Sequence, residues 1–166
     1  MPVTVWVFAD PTFEEVGSYL VRLLGKLGYR ARLRAVPSSR WFAEASNSRS
    51  KIQIGFGSGF GPDFPTPSTF FVPLLSCRSL YRPPAQNWSR FCDQRLDNLT
   101  GQAQTAQTTD PATARSLWAQ ADRLATDQAP LVQVFDETTA GFVSARAGNY
   151  QASPLYGPLL DQMWVR

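Results

Sequence analysis

One carboxylate set among aromatic rings is the feature of this sequence with the clearest chemical use. The stretch Gly55 to Phe71 reads GFGSGFGPDFPTPSTFF, and its one charge is Asp63, flanked closely by Phe60 and Phe64. An acid in such surroundings suits a cationic or amphipathic ligand, with the rings as apolar walls. The same residues also describe a turn in which the rings are core and Asp63 caps the backbone. In either reading the stretch is a shaped loop, because Gly opens unusual backbone conformations and Pro fixes φ and removes a donor.

Other chemistries find little support. A dinucleotide fingerprint needs Gly-x-Gly-x-x-Gly, but counting from Gly55 the third position is Phe60, and from Gly57 it is Pro62. No Gly-Lys-Ser/Thr follows, which removes a P-loop. The chain has no His, so the commonest general base and metal ligand is missing. No close acidic pair sits on a recognisable framework, and neither Cys belongs to a Cys-x-x-Cys pattern. We therefore expect no enzyme, no catalytic or metal site and no cofactor. The net charge is +3, with Arg outnumbering Lys fourteen to two. Those charges are scattered except for Arg30, Arg32 and Arg34, which alternate as a solvated strand face would, and no nucleic-acid partner is expected.

The elements around the loop predict an α/β fold, a βαβ-containing sheet flanked by helices. The 166 residues are enough for one domain with a real core. Val3 to Phe8 is apolar on both faces, as a strand buried on both sides of a sheet must be. Asp10-Pro11 starts a helix that carries Phe13, Val16, Leu20, Leu23, Leu24 and Leu27 and stops at Gly28. Arg30 to Val36 follows as a parallel strand with Ala31, Leu33 and Ala35 inward. Pro37 to Lys51 holds a short helix pinned by Trp41 and Phe42, and Lys51 to Phe56 is a third strand. That strand delivers the loop to the carboxyl end of the sheet, where ligands collect in open α/β folds.

Further along, Asp93 caps a helix to about Gln107 with Leu96, Leu99, Ala103 and Ala106 inward. Asp110-Pro111 starts another, to about Thr126, burying Ala114, Leu117, Trp118, Ala121 and Leu124, so the two form a helical hairpin. Leu131 to Phe135 and Gly141 to Ala145 read as a fourth and a fifth strand. Cys77 and Cys92 bracket a loop containing Arg82 to Trp88. In an exported protein a disulfide here would be worth roughly 3 kcal/mol, whereas a cytoplasmic chain would keep two thiols.

The segment Phe60-Gly-Pro-Asp-Phe-Pro-Thr-Pro-Ser-Thr-Phe70 resembles the Trp-x-x-Asp-Tyr-x-x-Pro loop of the family 5 extracytoplasmic solute-binding proteins. These are the peptide, dipeptide and nickel receptors of ABC importers. Phe91-Cys-Asp, Asp127-Gln-Ala-Pro and the tail from Pro154 to Arg166 extend the similarity over nearly the whole chain. The resemblance implies one lobe of a periplasmic-binding-protein-like type II fold, with residues 1–166 a single domain. It implies that Asp63 takes a ligand's α-amino group, and that Phe60 and Phe64 stand where the family has Trp and Tyr, keeping ring faces and losing two polar handles. It implies a Cys77–Cys92 disulfide, since relatives carry Ser-Cys and Phe-Cys-Asp at similar places. It also implies that Leu131 to Phe135 crosses back toward the other lobe.

The function expected from this likeness is the C-terminal part of the substrate-binding component of an ABC importer. Its partners would be a peptide or other small solute, the importer's membrane subunits, and the first lobe, which is absent here, or a second copy of the chain. Residues 1–10 carry no export signal, so this polypeptide read by itself stays in the cytoplasm, while a complete receptor is extracytoplasmic. The chain would then be a truncated product or a piece of a fusion. A second expectation is a stand-alone regulatory or protein-interaction domain with vestigial ligand binding.

Overall fold

The computed structural model describes residues 2–57, 60–81, 86–135, 140–153 and 155–166. Ser58 and Gly59 of the Gly-rich stretch, Arg82 to Ala85 of the loop between the cysteines, and Pro154 of the tail therefore lie outside the described residues. The chain forms two compact units, one of residues 1–61 and 72–97, the other of residues 62–71 and 98–166.

The first unit is built on a parallel sheet. β1 (Pro2–Phe8) lies between β2 (Arg30–Val36) and β3 (Ile54–Phe56), and the register runs Pro2 to Arg30 through Phe8 to Val36. The central strand has to be apolar on both faces, and its buried residues Val3, Val5, Trp6 and Val7 come from both. On the valine face lies α1 (Pro11–Lys26). Its Gly17 sits directly against Val7 and Leu33, where any larger residue would push the helix off the sheet. Asp10 caps α1 by accepting the Thr12 N–H at 2.9 Å. Gly28 ends it at φ 87°, with the Gly28 and Tyr29 N–H groups bonded back to Gly25 and Leu24 in a Schellman arrangement.

On the other face lies α2 (Ser38–Ser46), and the core there is Trp6, Val36, Trp41 and Ala45. Arg30, Arg32 and Arg34 are exposed, as a solvated face requires. Arg34 also stacks over Trp6 at 3.8 Å and pairs with Glu44, which Arg40 joins from one helical turn away. The expected inward face of β2 is less covered than its pattern suggests. Ala31 is half-buried, Leu33 and Ala35 are exposed, and Val36 is buried. The reason is position, since β2 is an edge strand and α1 reaches only part of it.

α3 (Ser68–Leu75) begins in the last third of the Gly-Pro-Phe stretch, so the loop is shorter than expected. Cys77 and Cys92 are joined in a disulfide. Asp93 caps α4 (Gln94–Ala106): it accepts the Arg95 N–H at 2.8 Å and also pairs with that residue's guanidinium, which raises the Arg95 pKa. The buried stripe of α4 is Leu96, Thr100 and Ala103, with Leu99 only half-buried.

The second unit carries α5 (Pro111–Gln128), with Asp110 as its N-cap. Ala114, Trp118, Ala121 and Ala125 are buried, and Phe71 packs its ring on Trp118 at 5.5 Å. Two short antiparallel pairs complete it, β4 (Ala147–Gly148) with β7 (Trp164–Val165) and β5 (Ala152–Ser153) with β6 (Gly157–Pro158). The fourth and fifth strands expected at Leu131 to Phe135 and Gly141 to Ala145 do not form. Among the described residues no β-ladder includes either segment. Apolar alternation shows that a segment is suited to burial, and a strand also needs a neighbour to complete its hydrogen bonds.

Candidate functional site

The carboxyl ends of the parallel strands in the first unit converge on aromatic rings. β1 ends at Phe8, β3 ends at Phe56, and Phe13 stands in the first turn of α1. Phe56 packs on Phe13 at 5.3 Å, Phe13 on Phe8 at 5.6 Å, and Phe8 on Trp41 at 6.2 Å. Trp88 meets Trp41 edge-on at 5.8 Å and Phe42 at 5.9 Å. Trp41 is 1% exposed and anchors this wall, Phe42 is exposed, and the remaining rings are half-buried. Edge-to-face and tilted pairs at these spacings are the favourable aromatic geometries.

The loop leaves β3 through Gly57, where a Cβ would fall 2.0 Å from the Trp41 indole. Only a residue without a side chain lets the chain pass there, so this glycine serves packing rather than phosphate binding. Phe60 is half-buried in the first unit.

Asp63 and Phe64 belong to the second unit, in the turn before α3. The Asp63 N–H donates to Thr69 Oγ1 at 2.9 Å, and the Thr66 N–H donates to the Phe64 carbonyl at 2.8 Å. Thr66 Oγ1 and Ser68 Oγ share a hydrogen bond of 2.6 Å, and Ser68 and Thr69 are buried. The turn is thus held through the backbone of Asp63, while Asp63 and Phe64 are both exposed. An acid held this way can receive a cation from solvent without first breaking the turn.

The sequence places Asp63 and Phe64 in a shaped loop among rings at the carboxyl end of the sheet; in the structure they lie in an exposed turn, and the ring wall of the first unit is one the sequence does not reveal. Phe8 and Phe13 were legible only as strand and helix residues, and Trp88 only as part of a loop. Among the described residues no cluster of His, Cys, Asp or Glu could hold a metal ion, and no helix is long and apolar enough to cross a membrane.

No protein-family model matches the chain. It is 25% identical over 131 residues to a probable di/tripeptide-binding protein 5 of Pseudomonas aeruginosa (strain UCBPP-PA14), a match covering 79% of this chain and 24% of that protein. In structure it is similar to clavulanic acid biosynthesis oligopeptide binding protein 2, with a TM-score of 0.85 at 21% identity over 99% of this chain and 30% of that one. The chain has the fold of part of a type II periplasmic binding protein. A dipeptide binding protein from Pseudoalteromonas sp. SM9913, solved with Met-Leu, superposes with a TM-score of 0.73 at 18% identity, over 99% of this chain and 32% of its own. The chain spans about a quarter of the length of the curated relative it matches. The matched proteins are named as di/tripeptide, oligopeptide and dipeptide binding proteins, in line with the resemblance to the family 5 solute-binding proteins.

Proposed function

We propose that residues 1–166 form a single domain, the C-terminal lobe of the substrate-binding component of an ABC importer, and that the complete receptor binds peptides or similar small solutes outside the cytoplasm. The observation that carries this is the fold match over 99% of the chain to 30% of an oligopeptide binding protein. A binding role needs no catalytic group. In this reading Asp63 neutralises a ligand ammonium, and Phe60 and Phe64 supply apolar and cation–π contact. The first lobe closes over the ligand by hinge motion, and the closed form engages the importer's membrane subunits.

The exposed run Leu131, Val132, Val134 and Phe135 supports a missing neighbour, because apolar residues in one exposed stretch mark a surface meant to be covered. In the isolated chain the same run favours self-association. Half a cleft holds few of a ligand's groups, so the lobe alone binds at about millimolar strength, roughly 4 kcal/mol.

The test is titration of a short peptide with a free amino terminus into the isolated chain, followed by NMR shifts of the Asp63 and Phe64 amides. Saturable shifts that weaken about ten- to a hundredfold in Asp63→Asn are expected, from the loss of one charge-assisted contact. Equal affinity in both proteins would remove Asp63 from the site. Peptide-independent assembly with no such shifts would favour the interaction-domain reading.

A further inference from the structure

A buried amide holds the two cysteines in place by bonds that do not involve sulfur. Asn87 is 1% exposed. Its Nδ2 donates to the Ser76 carbonyl at 3.2 Å and to the Phe91 carbonyl at 2.7 Å, and these residues immediately precede Cys77 and Cys92. Its Oδ1 accepts the Phe91 N–H at 3.1 Å and the Ser89 hydroxyl at 3.0 Å. One side chain thus bridges both cysteine-bearing segments and keeps its own donors and acceptors satisfied. Further bonds fix each flank. The Cys77 N–H donates to both Asp97 carboxylate oxygens at 3.3 Å, and the Ser79 hydroxyl donates to the Ser76 carbonyl at 2.6 Å. On the other side Asp93 caps α4, and the Arg90 guanidinium reaches the Ser46 carbonyl at 3.0 Å.

We propose that Asn87 is a positioning residue for a reversible redox element, one in which the Cys77 and Cys92 thiols stay apposed after reduction and close again within the folded chain. Buried networks with every group satisfied are rigid, and losing one member leaves its partners unpaired at a cost. The network is therefore a reason for the segments that carry Cys77 and Cys92 to stay in place when the sulfur bond is gone. Cys92 is exposed and Cys77 half-buried, so a small thiol or disulfide has access. With a small-molecule disulfide such as oxidised glutathione as oxidant, the Cys92 thiolate attacks one sulfur and releases one glutathione thiolate. The Cys77 thiolate then displaces the second glutathione from the mixed disulfide. The chain gives up two electrons and two protons, and two molecules of reduced glutathione carry them away.

The experiment reduces the full chain with dithiothreitol, follows tryptophan fluorescence and near-UV circular dichroism, and then measures by thiol-labelling mass spectrometry how oxidised glutathione recloses the bridge. The expected result is a folded reduced chain with native tryptophan fluorescence and near-UV dichroism, and reclosure that accumulates little mixed disulfide. Asn87→Ala should lower the intramolecular closure constant about tenfold, the equivalent of one to two net hydrogen bonds. Ser89→Ala, which removes the hydroxyl bonded to Asn87 Oδ1 but leaves the Asn87 bonds to Ser76 and Phe91, should lower it less. If Asn87→Ala fails to fold when reduced, the wild-type and Ser89→Ala measurements still decide. Loss of native near-UV dichroism on reduction of the wild type would overturn the proposal. So would accumulation of the mixed disulfide, or closure unchanged in both variants.

Discussion

Gly57 lies against Trp41 so closely that a methyl group on its Cα would overlap the indole ring. Trp41 cannot retreat, because it is 1% exposed and packed between Phe8 and Trp88. Gly57→Ala should therefore destabilise the first unit by about 1–3 kcal/mol, the usual cost of overpacking. Urea unfolding followed by tryptophan fluorescence measures it. Gly61 has open space where a Cβ would go, so Gly61→Ala is the control and should change stability little.

Arg34 of the β2 row lies over the Trp6 ring at 3.8 Å and also pairs with Glu44 at 3.2 Å. Its side chain is 48% exposed, so solvent screens the ion pair heavily and the ring contact carries more of its effect. Arg34→Ala should cost about 1 kcal/mol, most of it surviving in high salt, by thermal unfolding at two ionic strengths. Arg32→Ala should cost less.

The parts of this fold that sequence reveals are those whose cause is local or symmetric. β1 could be read because it is central, and both its faces must be apolar. α1 could be read at both ends, because Asp10 and Gly28 act on residues within one turn of themselves. The face of β2 could not, since the pattern Ala31, Leu33, Ala35 does not reveal that the strand sits at an edge. Leu131 to Phe135 has the composition of a strand, yet strand formation depends on what lies beside it. That Asp63 and Phe64 lie in a turn could be read, because the Gly and Pro around them exclude a long regular element. The wall of Phe8, Phe13, Trp41, Phe56 and Trp88 was not, because its members are far apart in sequence and each has an ordinary structural reading. Asn87 carried no signal at all beyond its place in a loop.

Asp110 makes the stability of α5 sensitive to acid. Its carboxylate accepts the Thr113 hydroxyl at 2.6 Å and the Thr113 N–H at 3.1 Å, and these bonds lower its pKa below the usual carboxylate value. A folded-state pKa below the unfolded one contributes stability that is present above the unfolded value and is lost as pH falls through the folded one. Thermal unfolding from neutral pH into the acid range should show that loss. Asp110→Asn keeps a good cap without a titrating group, so its difference from wild type should shrink as the pH falls. A constant difference would assign the acid sensitivity to other carboxylates.

Trp118 separates the contribution of ring packing from that of the indole N–H. It is buried in α5, its ring meets Phe71 at 5.5 Å, and its Nε1 has no hydrogen-bond partner among the described residues. Trp118→Ala removes the ring and should cost about 3–5 kcal/mol by urea unfolding. Trp118→Phe loses part of the ring volume but keeps a ring toward Phe71 and removes a buried unsatisfied donor, whose burial costs about 1–3 kcal/mol. The two effects oppose each other, so Trp118→Phe should fall within about 1.5 kcal/mol of wild type. A loss as large as that of the alanine variant would mean that the indole N–H is satisfied in solution and contributes to stability.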